Sequence, residues 1–300
     1  MNLLGIIIVS VIVLIVVFSY VMSHYSLKPM HRKKNKSPDM YELPFEEVYF
    51  PSVGMNLHGW MIKQPGYSIS EKIPLVVLLH GWESNAQGML PHAKYLYDHG
   101  FNLFLYDARG HGDSDPVEYM NLIRFTEDAE SAIAYLRTRP DIDSQNIALF
   151  GHSMGAATAI TLASRHPEIR ALVASSSFAL FKSMIRDMLG ARHLPYFPFG
   201  SLFFLFWKWR FSFDPHEWAP GTSIRKITMP VLIAHGRKDE LFKFDHFENL
   251  WSSASSKIKE QVVLEDGTHR NLYEFSNYKE SIIKFLKQNL YNPKIEKQSA

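Results

Sequence analysis

The sequence contains no cysteine, so it cannot form a disulfide framework, a thiolate nucleophile or a cysteine-based zinc site. Neither an oxidising nor a reducing compartment requires cysteine, and its absence therefore leaves the compartment open. An excess of charge of one sign is also missing, since 32 Lys and Arg balance 30 Asp and Glu. The globular part has no long basic block with interleaved aromatic residues. We therefore exclude nucleic acid as a partner.

The first feature along the chain is a long hydrophobic run. Residues 3–22, LLGIIIVSVIVLIVVFSYVM, include no charged side chain. As a helix that rises about 1.5 Å per residue, they would span about 30 Å, the thickness of the hydrocarbon core of a bilayer. A cleaved signal peptide and a buried core helix are the alternatives. No Lys or Arg precedes the run and no A-x-A-like site follows it, so we predict an uncleaved single-pass membrane anchor.

A basic linker over residues 23–44 follows this run. Its cations are Lys28, Arg32, Lys33, Lys34 and Lys36. Positive charge close to the end of a membrane span favours the cytoplasmic side. We therefore expect the globular domain to lie on the cytoplasmic side of the membrane. The alternative is a solvated linker whose charges have no bearing on orientation.

From about residue 45 the sequence alternates β-rich runs with helical patterns, which is typical of parallel strands joined by crossover helices. EEVYF and residues 56–63 predict an opening hairpin. Continuous apolar runs bounded by turn residues then predict buried parallel strands, over residues 74–80, 101–107, 146–150, 171–176, 231–236 and 261–266. Helices are predicted between them, as in residues 126–139 and 276–290, each with a small polar residue in the N-cap position.

The connection between the strands at 171–176 and 231–236 is too long for a simple crossover. It predicts an inserted cap, over about residues 178–222, in a single domain of residues 45–292 with a tail over 293–300. Ten aromatic residues fall between Tyr196 and Phe213. One interpretation is a helical lid that buries them on the sheet domain. The other is that some face outward and enter the bilayer or line an acyl groove; the candidates are Phe203, Phe204, Trp207 and Trp209.

Ser153 stands between two glycines in the stretch NIALFGHSMGAATAI, residues 146–160. A predicted strand precedes the GHSMG turn and a helix-forming stretch follows it, so Ser153 lies at a strand-to-helix corner. Gly151 and Gly155 remove the Cβ atoms that would collide with the adjoining elements at this strained corner. The turn presents the Ser153 hydroxyl to a substrate at the positive end of a helix, which predicts a nucleophile.

A serine hydroxyl needs a base to take its proton and an acid to orient that base. His269 follows the last predicted strand in the loop GTHRN, and Asp239 follows the strand VLIAHG in a corresponding loop. The order serine, acid, histidine along the chain is the order expected of one particular fold. Rival acids remain, namely Glu240, Asp245 and Asp266.

Acyl transfer also needs hydrogen-bond donors for the oxyanion. The backbone N–H groups of Trp82, in the turn LLHGWESN, and of Met154, after the proposed nucleophile, are the candidates. We interpret most of the other histidines as structural. Among them, His152 is expected to pack below the corner and His111 to shape the turn DARGHGDSD.

Together, HGWESN, DARGHGDSD, GHSMG, HGRKDELF and GTHRN resemble the motifs of the α/β-hydrolase superfamily, especially its branch of esterases, lysophospholipase-like enzymes and serine-aminopeptidase-like proteins. The resemblance covers roughly residues 45–290. It implies a mostly parallel eight-stranded sheet flanked by helices, with a helical cap. It also implies a role for each site residue: Ser153 as nucleophile, Asp239 as acid, His269 as base, and Trp82 and Met154 as oxyanion donors. The acid loop lacks the proline often found after the aspartate, and GTH replaces the common GxGH.

These features predict a membrane-anchored serine hydrolase that cleaves carboxylic esters through an acyl-enzyme, with no metal or organic cofactor. The predicted anchor and the aromatic cap favour a lipid-like ester, such as a monoacylglycerol or lysophospholipid, over other small-molecule esters. An amidase or peptidase is the first alternative, because the same triad cleaves both bond types. A catalytically silent, membrane-tethered binding module is the second.

Overall fold

A central sheet of eight strands organises the computed structural model, which describes residues 2–66, 73–211 and 214–291. The strands lie in the order β1-β2-β4-β3-β5-β6-β7-β8, and their bounds are β1 (Glu46–Ser52), β2 (Met55–Ile62), β3 (Leu75–Leu79), β4 (Asn102–Tyr106), β5 (Ile147–His152), β6 (Ala171–Ser175), β7 (Val231–Gly236) and β8 (Lys259–Leu264). Strand β2 is antiparallel to β1 and β4, and the other neighbouring pairs are parallel. The predicted fold class, a mostly parallel α/β-hydrolase sheet, is confirmed.

Helices cover both faces of this sheet. The helices are α1 (Leu3–Tyr25), α2 (Leu90–Tyr97), α3 (Leu122–Thr138), α4 (Met154–Ala163), α5 (Phe181–Gly190), α6 (Ser201–Phe211), α7 (Pro220–Ser223), α8 (Phe244–Ser253) and α9 (Ser276–Leu290). Along β3, alternate side chains enter two hydrophobic clusters, one shared with α3, α4 and α8 and the other with α2 and α9. Burial on both faces explains why the inner strands are continuous apolar runs.

The starts of two helices differ from the prediction. Helix α3 begins at Leu122 because Asn121, and not Thr126, caps it: the Asn121 side chain accepts a hydrogen bond from the Arg124 N–H. Helix α9 spans the predicted residues, but Phe275 occupies its N-cap position and makes no side-chain cap bond. The predicted tail, residues 293–300, lies outside the described residues.

The cap leaves the sheet after β6 and contains α5, the segment Tyr196–Gly200 and α6. Its aromatic side chains divide between two environments. Phe203 and Trp207 are buried in a third hydrophobic cluster with Phe181. Phe197 and Trp209 are 78% and 74% exposed. Of the four candidates for an outward position, Phe203 and Trp207 are therefore buried, Phe204 is half-buried and Trp209 is exposed, and entry into a bilayer stays a prediction.

Helix α1 is long and apolar enough to cross a membrane, by length and composition. Its C-terminal part packs against the cap. The rings of Phe18 and Phe199 lie 5.6 Å apart, and Trp207 Nε1 donates a hydrogen bond to the Ser23 carbonyl at 3.3 Å. This apolar helix is thus a candidate membrane anchor, while the side of the membrane on which the domain lies stays a prediction.

The linker that follows α1 lies against the sheet domain, and Lys34 fastens it there. Lys34 Nζ lies 3.0 Å from Asp107 Oδ2, 2.7 Å from Asp113 Oδ2 and 2.8 Å from His58 Nδ1. It also lies 4.3 Å from the centre of the Trp60 ring. Burial raises the pKa of Asp107, but the His58 hydrogen bond and the Lys34 charge outweigh this and hold it below its ordinary value. Two carboxylates thus neutralise one of the cations used to predict orientation.

Replacing Lys34 by methionine should lower the free energy of unfolding by about 3 to 5 kcal/mol, because it leaves the Asp107 carboxylate buried without its cation. Urea denaturation of the full chain in detergent micelles measures this loss. The matched control is Lys33→Met, which removes a neighbouring exposed cation and should change stability by less than about 0.5 kcal/mol. Equal losses in the two variants would contradict the proposed fastening.

Candidate active site

Ser153 lies at the corner between β5 and α4, in a strained backbone conformation. Its φ is 58° and its ψ is −121°, a combination that non-glycine residues rarely adopt. A Cβ on Gly151 would collide with the Gly155 carbonyl, and one on Gly155 would collide with the Leu79 carbonyl. The Ser153 N–H donates to the Ser175 carbonyl at 2.9 Å. Both glycines are therefore required for the close approach that the sequence predicts.

His269 connects Ser153 to Asp239, and all three side chains are buried. His269 Nε2 lies 2.9 Å from Ser153 Oγ, and His269 Nδ1 lies 2.8 Å from Asp239 Oδ2. The other carboxylate oxygen of Asp239 accepts from the Leu241 and Phe242 N–H groups at 2.9 and 2.8 Å. Because a carboxylate only accepts, Nδ1 bears the imidazole proton and Nε2 is left to take a proton from the serine.

The structure separates Asp239 from its rivals. Asp245 pairs with Arg186 at 2.7 Å and Asp266 pairs with Lys238 at 2.6 Å. Glu240 is exposed. Burial raises the pKa of Asp239, but the hydrogen bond with His269 outweighs it and holds the pKa below its ordinary value. Of the four acids, Asp239 is the one placed to orient His269, and it stays ionised at neutral pH.

The two predicted oxyanion donors lie next to Ser153. Met154 is the first residue of α4, so its N–H has no partner within the helix. Trp82 follows Gly81 in the turn after β3, and a Cβ on Gly81 would lie only 3.2 Å from the Ser153 Cβ. Both residues line the same cavity as Ser153. The structure thus brings all five predicted site residues together.

His80, which the sequence analysis did not select, fixes the peptide group of Trp82. Its Nε2 accepts from the Ala108 N–H at 3.0 Å, so its Nδ1 bears the proton and donates to the Gly81 carbonyl at 2.8 Å. That carbonyl and the Trp82 N–H belong to one planar trans peptide and point in opposite directions. Burial lowers the pKa of His80 to about 4, so this hydrogen-bonded form persists at neutral pH.

Two further histidines contact the site. His111 Nε2 lies 2.6 Å from the Trp82 carbonyl, so His111 holds the oxyanion turn as well as its own loop. His152 does not pack below the corner as expected. Its ring lies beside that of His269, with 5.1 Å between centroids, and lines the cavity. Burial, followed by the nearby His269, lowers the pKa of His152, so its ring is neutral.

A cavity of about 560 Å³ opens in front of Ser153. Pockets of about 300 to 1,000 Å³ commonly hold small ligands. Apart from the polar groups around Ser153, the wall is largely apolar, with contributions from Leu27, Leu122, Ile123, Phe181, Met184, Met188 and Trp207. The cavity thus reaches from the triad to the place where the linker and the cap meet. The sequence analysis missed the linker residue Leu27.

Among the residues that the structure describes, two clusters of histidine and aspartate have metal-like spacing, and neither lines this cavity. The first cluster contains His58, Asp107 and Asp113. The second contains Asp187, Asp245 and His246. In the first, Lys34 Nζ contacts all three members. In the second, Arg186 contacts both aspartates, at 2.9 and 2.7 Å. A side-chain cation of the protein thus already balances half of the carboxylate charge of each cluster.

Comparisons with known proteins agree with this architecture. Residues 70–196 match the family described as Serine aminopeptidase, S33. The uncharacterized protein YfhR of Escherichia coli (strain K12) is 26% identical over 238 residues, 78% of this chain and 77% of YfhR. The alpha/beta hydrolase domain-containing protein WAV2 of Arabidopsis thaliana is 26% identical over 281 residues, 90% of this chain and 87% of WAV2.

A solved structure, the Pyrococcus furiosus esterase Pf2001, superposes with a TM-score of 0.72 and 22% identity, covering 88% of this chain and 97% of the esterase. At this identity the superposition speaks for the fold alone. The fold is the one that the strand order and the corner at Ser153 had already indicated. The sheet topology shows the α/β-hydrolase fold, and the family match over residues 70–196 and the relatives support a hydrolase.

Proposed function

We propose that the protein is a serine hydrolase that cleaves carboxylic esters, with Ser153 as nucleophile, His269 as base and Asp239 as acid. The observation that carries this proposal is the unbroken relay at the mouth of an apolar cavity. Its two links are the 2.9 Å contact from Ser153 Oγ to His269 Nε2 and the 2.8 Å contact from His269 Nδ1 to Asp239. Such a relay activates a hydroxyl that is otherwise a poor nucleophile.

In the first step Ser153 Oγ attacks the ester carbonyl carbon while its proton passes to His269 Nε2. The N–H groups of Trp82 and Met154 bind the resulting oxyanion, and Asp239 stabilises the imidazolium. His269 then gives this proton to the leaving alcohol oxygen as the carbon–oxygen bond breaks. Water attacks the acyl-enzyme with His269 again as base, which releases the acid and restores the serine hydroxyl.

A lipid-like ester, of the monoacylglycerol or lysophospholipid type, is the substrate class that we favour. Most of the cavity wall is apolar, with Phe181, Met184 and Met188 among its residues. Burial of a long acyl chain in such a wall gains about 0.8 kcal/mol per methylene group. The membrane-length helix α1 and the exposed aromatic residues of the cap support a substrate taken from a membrane.

A peptidase of the serine-aminopeptidase type is the second candidate, because residues 70–196 match that family. An aminopeptidase must bind the ammonium group of its substrate. Among the described residues that line the cavity, Glu83 is the sole carboxylate, and it already pairs with Arg32 at 3.1 Å. Arg192 and Arg270 also line the cavity. This excess of positive charge disfavours a cationic substrate and therefore favours the ester.

Substitution of Ser153 by alanine should abolish labelling by a fluorophosphonate and lower kcat for p-nitrophenyl butyrate by at least about 10³-fold, because the nucleophile is gone. Ser131→Ala, which removes a hydroxyl on α3 away from the cavity, should leave both readouts unchanged. Hydrolysis that survives in Ser153→Ala would exclude the mechanism. A folded wild-type protein that does not label would favour the silent binding module, and faster cleavage of aminoacyl anilides would favour the peptidase.

Exchange of Asp239 for asparagine should lower kcat by about 10²- to 10⁴-fold, because the amide no longer holds His269 in the productive tautomer. Glu240→Gln is the matched control, since it makes the same chemical change one residue further along, on an exposed side chain. We expect it to stay within about twofold of wild type, as a surface change does. Steady-state kinetics with p-nitrophenyl butyrate decides, and a larger loss in Glu240→Gln would reassign the acid.

Conversion of His80 to glutamine should lower kcat by about 10- to 100-fold, since the Trp82 N–H loses its fixed direction toward the developing oxyanion. KM should change little, because the ground-state ester needs this donor less than the transition state does. The separation of kcat from KM distinguishes positioning from general loss of structure. An equal rise in KM, or a matching fall in the unfolding midpoint with unchanged kcat, would count against this role for His80.

A further inference from the structure

We infer that the C-terminal end of the membrane helix forms part of the substrate site, so that the acyl chain of a lipid ester reaches Ser153 along the contact between α1 and the cap. This inference rests on the proposed function and deepens it. We call this contact the anchor–cap junction. It comprises Ser23 and Leu27 on the anchor side and Phe203 and Trp207 on the cap side.

Leu27 is part of the cavity wall and does not lie in a linker that is free of the domain. Its side chain is 3% exposed and packs in one cluster with Phe181, Met184 and Trp207. The Leu27 carbonyl accepts a hydrogen bond from the Met120 N–H at 2.7 Å, which fastens this segment to the sheet domain. Leu27 lines the same cavity as Ser153. A continuous apolar surface therefore leads from the end of α1 to the nucleophile.

The cap lies alongside the last turns of α1. The contacts follow one another in the same order along both segments: Phe18 with Phe199, Tyr20 with Phe206, Ser23 with Trp207, and His24 with Arg210. From the first to the last of these α1 residues, a helix rises about 9 Å. Interfacial segments enter the boundary between headgroups and acyl chains by about 5 to 10 Å. With α1 in a bilayer, the cap thus reaches the depth at which acyl chains begin.

The outer surface of the cap has the composition expected at that depth. Phe197, Leu205 and Trp209 are 78%, 58% and 74% exposed, and the last two lie four residues apart on one face of α6. Lys208 lies near the end of α6, where its charge would meet the headgroups. Lipid acyl chains are the occupant that covers such a surface beside a membrane-length helix. With α1 in a bilayer, the junction therefore lies beside the pool of acyl chains from which the substrate would come.

Chain-length selectivity at Leu27 tests this inference in the full protein reconstituted in phospholipid nanodiscs. Leu27→Trp narrows the junction, so kcat/KM should fall at least about tenfold more for p-nitrophenyl laurate than for p-nitrophenyl butyrate. The matched control is Leu14→Trp, the same substitution at a leucine within α1 that is 68% exposed. It should leave the laurate-to-butyrate ratio within twofold of wild type, which is about 0.4 kcal/mol.

A second variant, Leu27→Ala, widens the junction and should shift the preferred ester toward longer chains. If Leu27→Trp also loses butyrate hydrolysis because it fails to fold, the chain-length preference of Leu27→Ala decides the test. The inference about the junction is overturned if neither Leu27 variant changes the laurate-to-butyrate ratio of kcat/KM while butyrate hydrolysis still depends on Ser153. The hydrolase proposal would then remain. If the wild-type protein neither hydrolyses an ester nor labels with a fluorophosphonate, the proposed function itself fails.

Discussion

The backbone of Ser153 is held in a conformation that its own side chain disfavours, and the proposed chemistry depends on it. A residue in such a sparsely populated region costs about 1 to 3 kcal/mol. The strain persists because β5 and α4 meet without Cβ atoms at Gly151 and Gly155, and because the buried strands on both sides fix the corner. The strained conformation places Ser153 Oγ beyond the carboxyl end of β5, within 2.9 Å of His269 Nε2.

Most of the sheet and part of the site could be predicted from the sequence. Strands buried on both faces need continuous apolar runs with turn residues at their ends, and such runs are visible in a single chain. Ser153 and His269 could be predicted because each follows a strand in a glycine-bearing loop. Asp239 and Glu240 are adjacent in the chain and chemically alike. Folded geometry separates them, since Asp239 contacts His269 and Glu240 is exposed.

Other features depend on contacts between distant segments, which no local pattern reveals. His80 acquires its hydrogen-bonded form from the Ala108 N–H, which follows a neighbouring strand. Leu27 becomes part of the cavity wall because it packs against the cap, which lies more than half of the chain length further along the sequence. Lys34 is one of several cations in a linker, and its neutralisation by Asp107 and Asp113 becomes visible only when the loop after β4 is placed beside it.

Under the proposed function, the docked linker also sets how the domain meets its substrate. A flexible tether would let the domain swing and sample a volume above the bilayer. Here Lys34 and Leu27 fasten the linker to the domain, so with α1 in a bilayer Ser153 stays at one height. For the proposed lipid substrate, encounter would then be a search in two dimensions, and its rate would follow the number of substrate molecules per unit area of that one membrane. If the substrate is a membrane lipid, as proposed, lipids in an opposing membrane would stay out of reach, however abundant they are.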